Sequence, residues 1–208
     1  MRPGIQRHQA LAQYRRRAPV YDLELLAFEP WRHACVQRLA LRPGDAVLDL
    51  GCGTGLSFDL LQRRIGPAGR IVGIEQSAEM LARARHRVQA EGWRNVELIH
   101  APVEEAAWAG RADAALFVFT HDILQQPSAL RRVIGMLRQG ARVASVGLTW
   151  GPPWALPVNA FVWAAASHSL LQIDALDRPW QRLADAGVDL DIDCGPLGGI
   201  YLAHGRVA

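Results

Sequence analysis

The chain of 208 residues has no lysine at all, and every one of its 23 basic side chains is an arginine. That absence excludes a Walker-type P-loop, whose lysine must reach the terminal phosphates of a nucleotide. Cysteine is scarce as well: Cys35, Cys52 and Cys194 are odd in number, far apart and without Cys-x-x-Cys or Cys/His spacing. They offer neither a disulfide framework nor a metal site, so no metal and a cytoplasmic location are expected. No uninterrupted apolar run approaches the roughly 20 residues a membrane-spanning helix needs. Residues 1–17 are polar and basic and lack the apolar segment of a secretory signal. Nor does charge of one sign dominate: the net charge is +3 and the arginines are scattered, which implies no nucleic-acid partner. The length suits one α/β domain with a substantial core.

What is present is concentrated in residues 46–57, Ala-Val-Leu-Asp-Leu-Gly-Cys-Gly-Thr-Gly-Leu-Ser. Val47, Leu48 and Leu50 form an apolar run too short for a helix, preceded by the turn signal Gly44-Asp45, and so read as a buried parallel strand. Gly51, Gly53 and Gly55 let the backbone bend and bring bare amides close to a ligand. Leu56, Leu60, Leu61 and Ile65 then recur at helical spacing, with Gly66 as a stop, which predicts a helix over 54–65. Strand, bare turn and helix N-terminus make a nucleotide-sized cradle. A dinucleotide fingerprint would need its last glycine at position 56, where the chain has Leu56, so an NAD-dependent oxidoreductase is disfavoured.

The run Val47-Leu48-Asp49-Leu50-Gly51-Cys52-Gly53-Thr54-Gly55 resembles the first motif of class I S-adenosylmethionine-dependent methyltransferases. A second apolar strand, residues 71–75, follows at the spacing of that family and ends on Glu75, the acid the resemblance assigns to the ribose hydroxyls. The implied fold is α/β: a Rossmann-like, doubly wound, mostly parallel seven-stranded sheet with an antiparallel last strand and helices on both faces. The implied cofactor is S-adenosylmethionine, leaving as S-adenosylhomocysteine, with Asp49, Gly51, Cys52, Gly53, Glu75, Gln76, Val103 and Phe119 as its binding residues. At the end of the third strand the family usually places an aspartate for the adenine amino group. Here that position is Pro102, followed by Val103, and proline supplies no carboxylate; the nearest one downstream is Glu104.

The whole chain reads as one domain: an N-terminal helical lid over 1–40, a cofactor-binding core over 44–150, an acceptor-side insertion over 151–187 and closing strands over 188–208. Residues 6–17 can form a helix ending in Arg15-Arg16-Arg17, either a solvated face or a patch for anionic lipid. Residues 14–22 resemble the N-terminal lid of quinone-biosynthesis C-methyltransferases, in which Tyr14 and Tyr21 would close over the cofactor; otherwise Tyr21 is a core tyrosine. Pro30 opens a helix with Trp31, Ala34, Cys35 and Leu39 on its packed side. Ser77 caps the next helix, whose Met80, Leu81, Ala84 and Val88 face the core. Strands follow over 96–99 and 114–119, then a helix over 129–137 stopped by Gly140, and a fifth strand over 141–149.

Methyl transfer from a sulfonium is an in-line displacement, so the protein chiefly aligns donor and acceptor and excludes water. A base matters for a hydroxyl or acidic carbon. His121, at a strand end, is a candidate base with Asp122 to orient it or to bind an amine; the other reading is a histidine that caps a loop. Trp150, Trp154 and Trp163 follow the fifth strand, where indoles would serve either an apolar aromatic acceptor or the core. The expected function is S-adenosylmethionine-dependent methylation of an apolar small molecule, aromatic, quinone-like or lipid, by a monomer or homodimer. The alternatives are a phospholipid N-methyltransferase in peripheral membrane contact and a non-catalytic S-adenosylmethionine-binding module.

Overall fold

Period-two alternation decides which way each strand's side chains point, and here both faces of every central strand are covered. A computed structural model describes residues 25–167 and 176–208. Its strands are β1 (Ala46–Leu50), β2 (Arg70–Glu75), β3 (Val96–His100), β4 (Ala112–Val118), β5 (Leu137–Thr149), β6 (Val188–Asp193) and β7 (Gly199–Val207). They form one sheet in the order β3-β2-β1-β4-β5-β7-β6. All pairs from β3 to β5 are parallel, and β7 runs antiparallel to both β5 and β6. The seven-stranded, mostly parallel sheet with an antiparallel last strand is therefore as expected, and its strand order reverses between β1 and β4.

The helices are α1 (Glu29–Arg38), α2 (Phe58–Ile65), α3 (Ala78–Ala90), α4 (His121–Leu124), α5 (Pro127–Gly135), α6 (Leu156–Ser167) and α7 (Gln181–Asp185). Two hydrophobic cores sandwich the sheet. Val47, Ile71, Leu116, Val146 and Leu202 meet Cys35 of α1, Leu61 of α2 and Val162 of α6 on one face. Leu48, Leu50, Val72, Phe117 and Tyr201 meet Leu130 and Val133 of α5 and Leu183 of α7 on the other. Asp49 shares the parity of Val47 and so points into the face that α1 covers.

Three local readings are corrected. The helix after the glycines begins at Phe58, not at residue 54. Gly55 has φ +79°, outside helical geometry, and the Phe58 ring packs where its Cβ would stand. Gly140 does not stop a helix: α5 ends at Gly135, and Gly140, at φ +71°, lies where β5 loops out of register with β4 between residues 137 and 142. On α1 the face is rotated: Trp31 is exposed, and Arg32 is buried beside Cys35. Ser77 does cap α3, its hydroxyl accepting from the Met80 amide at 3.3 Å. Arg87 is half-buried, and its Nε donates to the Thr54 carbonyl at 3.1 Å, tying α3 to the glycine turn.

Candidate functional site

Gly51 and Gly53 leave β1 at φ +68° and +56°, a backbone region that costs L side chains energy and glycine almost nothing. The amides of Gly51 and Cys52 both donate to the Ile74 carbonyl, at 2.8 and 3.1 Å, which pins the bend to the end of β2. A Cβ at position 51 would lie 2.7 Å from Thr120 Cγ2 and 3.0 Å from Ile123 Cδ1, so the bend fits only without a side chain. Glu75 completes the brace. Its Oε2 accepts from the Gly53 amide at 3.1 Å and its Oε1 from the Ser77 amide at 2.7 Å. Each carboxylate oxygen keeps a second lone-pair site for a ligand hydroxyl.

These groups wall a cleft, open to solvent, at the C-terminal ends of β1, β2 and β4. Gly51, Gly53, Glu75, Gln76, Val103, Phe119 and Asp122, all singled out from the sequence, line it. Thr120, Ile74, Ile123, Gln126, Met80 and Glu104 line it too. Met80, read only as core, is both buried and part of the wall. Thr120 carried no sequence signal beyond its place after β4, yet its buried hydroxyl has no hydrogen-bond partner among the described residues. Phe119 adopts φ +56°, and its ring meets Phe28 at 4.9 Å between centroids. A bulky residue in that region is a strained exception worth associating with a site.

Five expected site residues sit elsewhere. The His121 ring is buried in the second core rather than in the cleft wall. Its Nε2 donates to the Leu148 carbonyl at 2.9 Å, the ring stands edge-on to Tyr201, and Gly147 leaves it room. Burial pushes its pKa down, so it is a neutral strut between β4 and β5. The Cys52 side chain turns inward against Gly73, and burial raises its thiol pKa well above the ordinary value. Trp154 and Trp163 are 68% and 59% exposed on the outer surface, while Trp150 is half-buried against the first core. Tyr14 and Tyr21 lie outside the described residues.

Asp49 lies just beneath the bend, buried, with Oδ2 unpartnered among the described residues. Burial pushes its pKa up to about 7, against the Arg32 guanidinium, which lowers it, and Glu75, which raises it further. Arg32, buried and paired with Glu29, is the counter-charge that sequence reasoning missed. Its signal was Asp49 itself, an acid in an otherwise apolar strand that must find a partner when buried.

The electrostatics of the cleft are one-sided. Among the described residues, Glu75, Glu104 and Asp122 line it and no arginine does. Asp122 opens to solvent through the mouth, yet surrounding protein raises its pKa, with Glu104 adding to the rise. Burial likewise raises that of Glu75, opposed by the amides of Ser77 and Gly53. Such a cleft suits a cationic ligand with a sugar and repels a pyrophosphate. Unspent polar capacity on Glu75, Thr120 and Asp49 around a side-chain-free bend fits an adenosyl sulfonium. Among the described residues no cluster of His, Cys, Asp and Glu could hold a metal ion.

Comparison with known proteins agrees. Residues 47–140 match the methyltransferase-domain family. The chain is 30% identical over 145 residues to a 2-phytyl-1,4-naphtoquinone methyltransferase of Trichormus variabilis, covering 64% of this chain and 62% of that protein. It is 32% identical over 140 residues to the protein of the same name from Thermosynechococcus vestitus, covering 64% and 61%. The matched region thus spans about three fifths of these curated relatives' length. Among solved structures, a SAM-dependent methyltransferase from Aquifex aeolicus superposes with TM-score 0.64 at 20% identity over 85% of this chain and 89% of that one. Geranyl diphosphate C-methyltransferase from Streptomyces coelicolor gives 0.69 at 14% identity over 86% and 78%. Both share the fold.

Proposed function

We propose, from the match of residues 47–140 to the methyltransferase-domain family, that this chain is a cytoplasmic S-adenosylmethionine-dependent methyltransferase acting on an apolar, quinone-like small molecule. The observation that carries this is the cleft built on the Gly51–Gly53 bend, acidic and free of arginine among the described residues. The names of the relatives support the acceptor class.

Glu75, held in place by two amides, would take the ribose hydroxyls without reorganising. Val103 offers the base an apolar wall, and Glu104 stands beside it in place of the carboxylate that Pro102 lacks. Thr120 presents its unpaired hydroxyl next to the bend. When bound, S-adenosylmethionine supplies an activated methyl group on a sulfonium. Asp122, raised in pKa and open at the mouth, is the group in the wall that can take a proton from an acceptor hydroxyl or acidic carbon.

Titration calorimetry with S-adenosylhomocysteine and with NADH tests the cofactor reading: heat from the first and none from the second is expected, and the reverse overturns it. With a reduced naphthoquinone and labelled donor, Asp122→Asn should lower kcat by about 100-fold while S-adenosylhomocysteine affinity holds. Undiminished turnover removes Asp122 from the chemistry.

A further inference from the structure

Six large apolar side chains are exposed among the described residues, and five of them belong to one flank. Trp154, Leu156, Phe161 and Trp163 lie on α6 and the turn before it, at 68%, 70%, 48% and 59% exposure. Leu197, 49% exposed, sits on the β6–β7 loop, whose backbone packs against Gly151 at the start of that turn. Scattered exposed leucines need no explanation, but a contiguous apolar patch does. The outward face of α6 reads Leu156, Pro157, Ala160, Phe161, Trp163 and Ala164. Of the helix's two polar residues, Asn159 is turned inward onto Gly151 and Pro152, and Ser167, exposed at the C-terminal end, donates its hydroxyl to the Ala164 carbonyl.

The charge pattern selects the occupant. No Asp, Glu, Lys or Arg occurs between Arg142 and Asp174 in a chain that is 21% charged as a whole. Burying this face in the headgroup and upper acyl layer of a bilayer would therefore strip water from no ionised group of the segment. Indole is the side chain that settles at that depth, its ring in the apolar layer and its N–H in the wet one. No helix among the described residues is long and apolar enough to cross a membrane, so contact would be at the surface.

The flank is also continuous with the cleft. Phe161 approaches Phe28 at 6.3 Å, and Phe28 meets Phe119 in the cleft wall at 4.9 Å, an aromatic path from patch to pocket. We propose that the α6 flank docks the protein on a lipid bilayer through uncharged, tryptophan-led insertion, so that a lipid-soluble acceptor passes along Phe161, Phe28 and Phe119 to the cleft. The passage of acceptor rests on the methyl-transfer reading; the docking does not.

Flotation with neutral phosphatidylcholine vesicles tests it. Wild type should bind them equally at about 0.1 M and about 0.5 M salt. Trp154→Ser with Trp163→Ser should lose about tenfold in partitioning while S-adenosylhomocysteine affinity holds. If that double variant misfolds, quenching of wild-type tryptophan fluorescence by bromine-labelled phosphatidylcholine gives the same answer, and its absence overturns the docking. Binding to anionic vesicles alone, abolished by salt, also overturns it, as does a concentration-dependent dimer through this face with no vesicle binding. Vesicle binding without any S-adenosylhomocysteine heat would sink the methyl-transfer reading and leave the docking standing.

Discussion

The glycine bend and the α6 flank are built on opposite principles. At the glycine bend polar groups are fixed by backbone: Glu75 is held by two amides, Gly51 and Cys52 share one carbonyl, and a Cβ has no room. On the α6 flank almost nothing polar is fixed, and large apolar side chains face outward. The contrast teaches where rigidity is spent. Charge recognition needs groups oriented before the ligand arrives, whereas an apolar acceptor needs only area and access.

The sharpest way to break the comparison is at the bend. Gly51→Val places a β-branched side chain at φ +68° against Thr120 and Ile123, adding backbone strain to overpacking for a loss of about 4 kcal/mol. Urea unfolding measures it, and S-adenosylhomocysteine binding should vanish even where the protein stays folded. A folded variant that binds normally would show that the bend is not the seat.

Asp49 separates stability from binding. Its native pKa of about 7 exceeds the usual 3.8, so between those values the folded chain holds a proton that the unfolded chain has released. Stability from this group is full below about 4, falls as pH rises to about 7, and is flat above. Asp49→Asn removes that dependence: near pH 8 the variant should be more stable by on the order of 3 kcal/mol, with no difference near pH 4. Arg32 and the bend would meanwhile lose their anion, so cofactor affinity should drop. Thermal melts across pH read the first effect and calorimetry the second.

His121→Ala probes the seam between the two regions. It removes the bond to Leu148 and the packing on Tyr201, which should cost about 2 kcal/mol. With the ring outside the cleft wall, turnover at a temperature well below the melt should stay near wild type. A large loss of kcat at full foldedness would return His121 to the mechanism.

The bend was legible in the sequence because its requirement is local: three glycines in left-handed geometry, a buried strand before them and an acid ending the next strand. The strand alternation was legible for the same reason, whereas the final antiparallel strand was expected only through the family resemblance. What was missed depends on contacts between distant residues. Arg32 is buried because Asp49 lies across from α1. His121 turns inward because Gly147 leaves space. The helix start slips to Phe58 because that ring folds back over Gly55. Whether an indole after β5 points to the cleft or away is set by how α6 lies on the sheet, and no spacing along the chain encodes that.

Neighbouring residues on α6 carry the smallest and finest test. Val162 is fully buried against the first core, and Trp163 beside it is 59% exposed. Val162→Ala should cost about 1.5 kcal/mol through lost burial and a partial cavity. Trp163→Ser should change stability by no more than about 0.5 kcal/mol, as expected of a surface position, although it removes far more apolar surface. Paired urea titrations of the two variants decide it. Equal losses would mean that the Trp163 indole is packed in solution, and the flank would then be a piece of core rather than a face held ready for another surface.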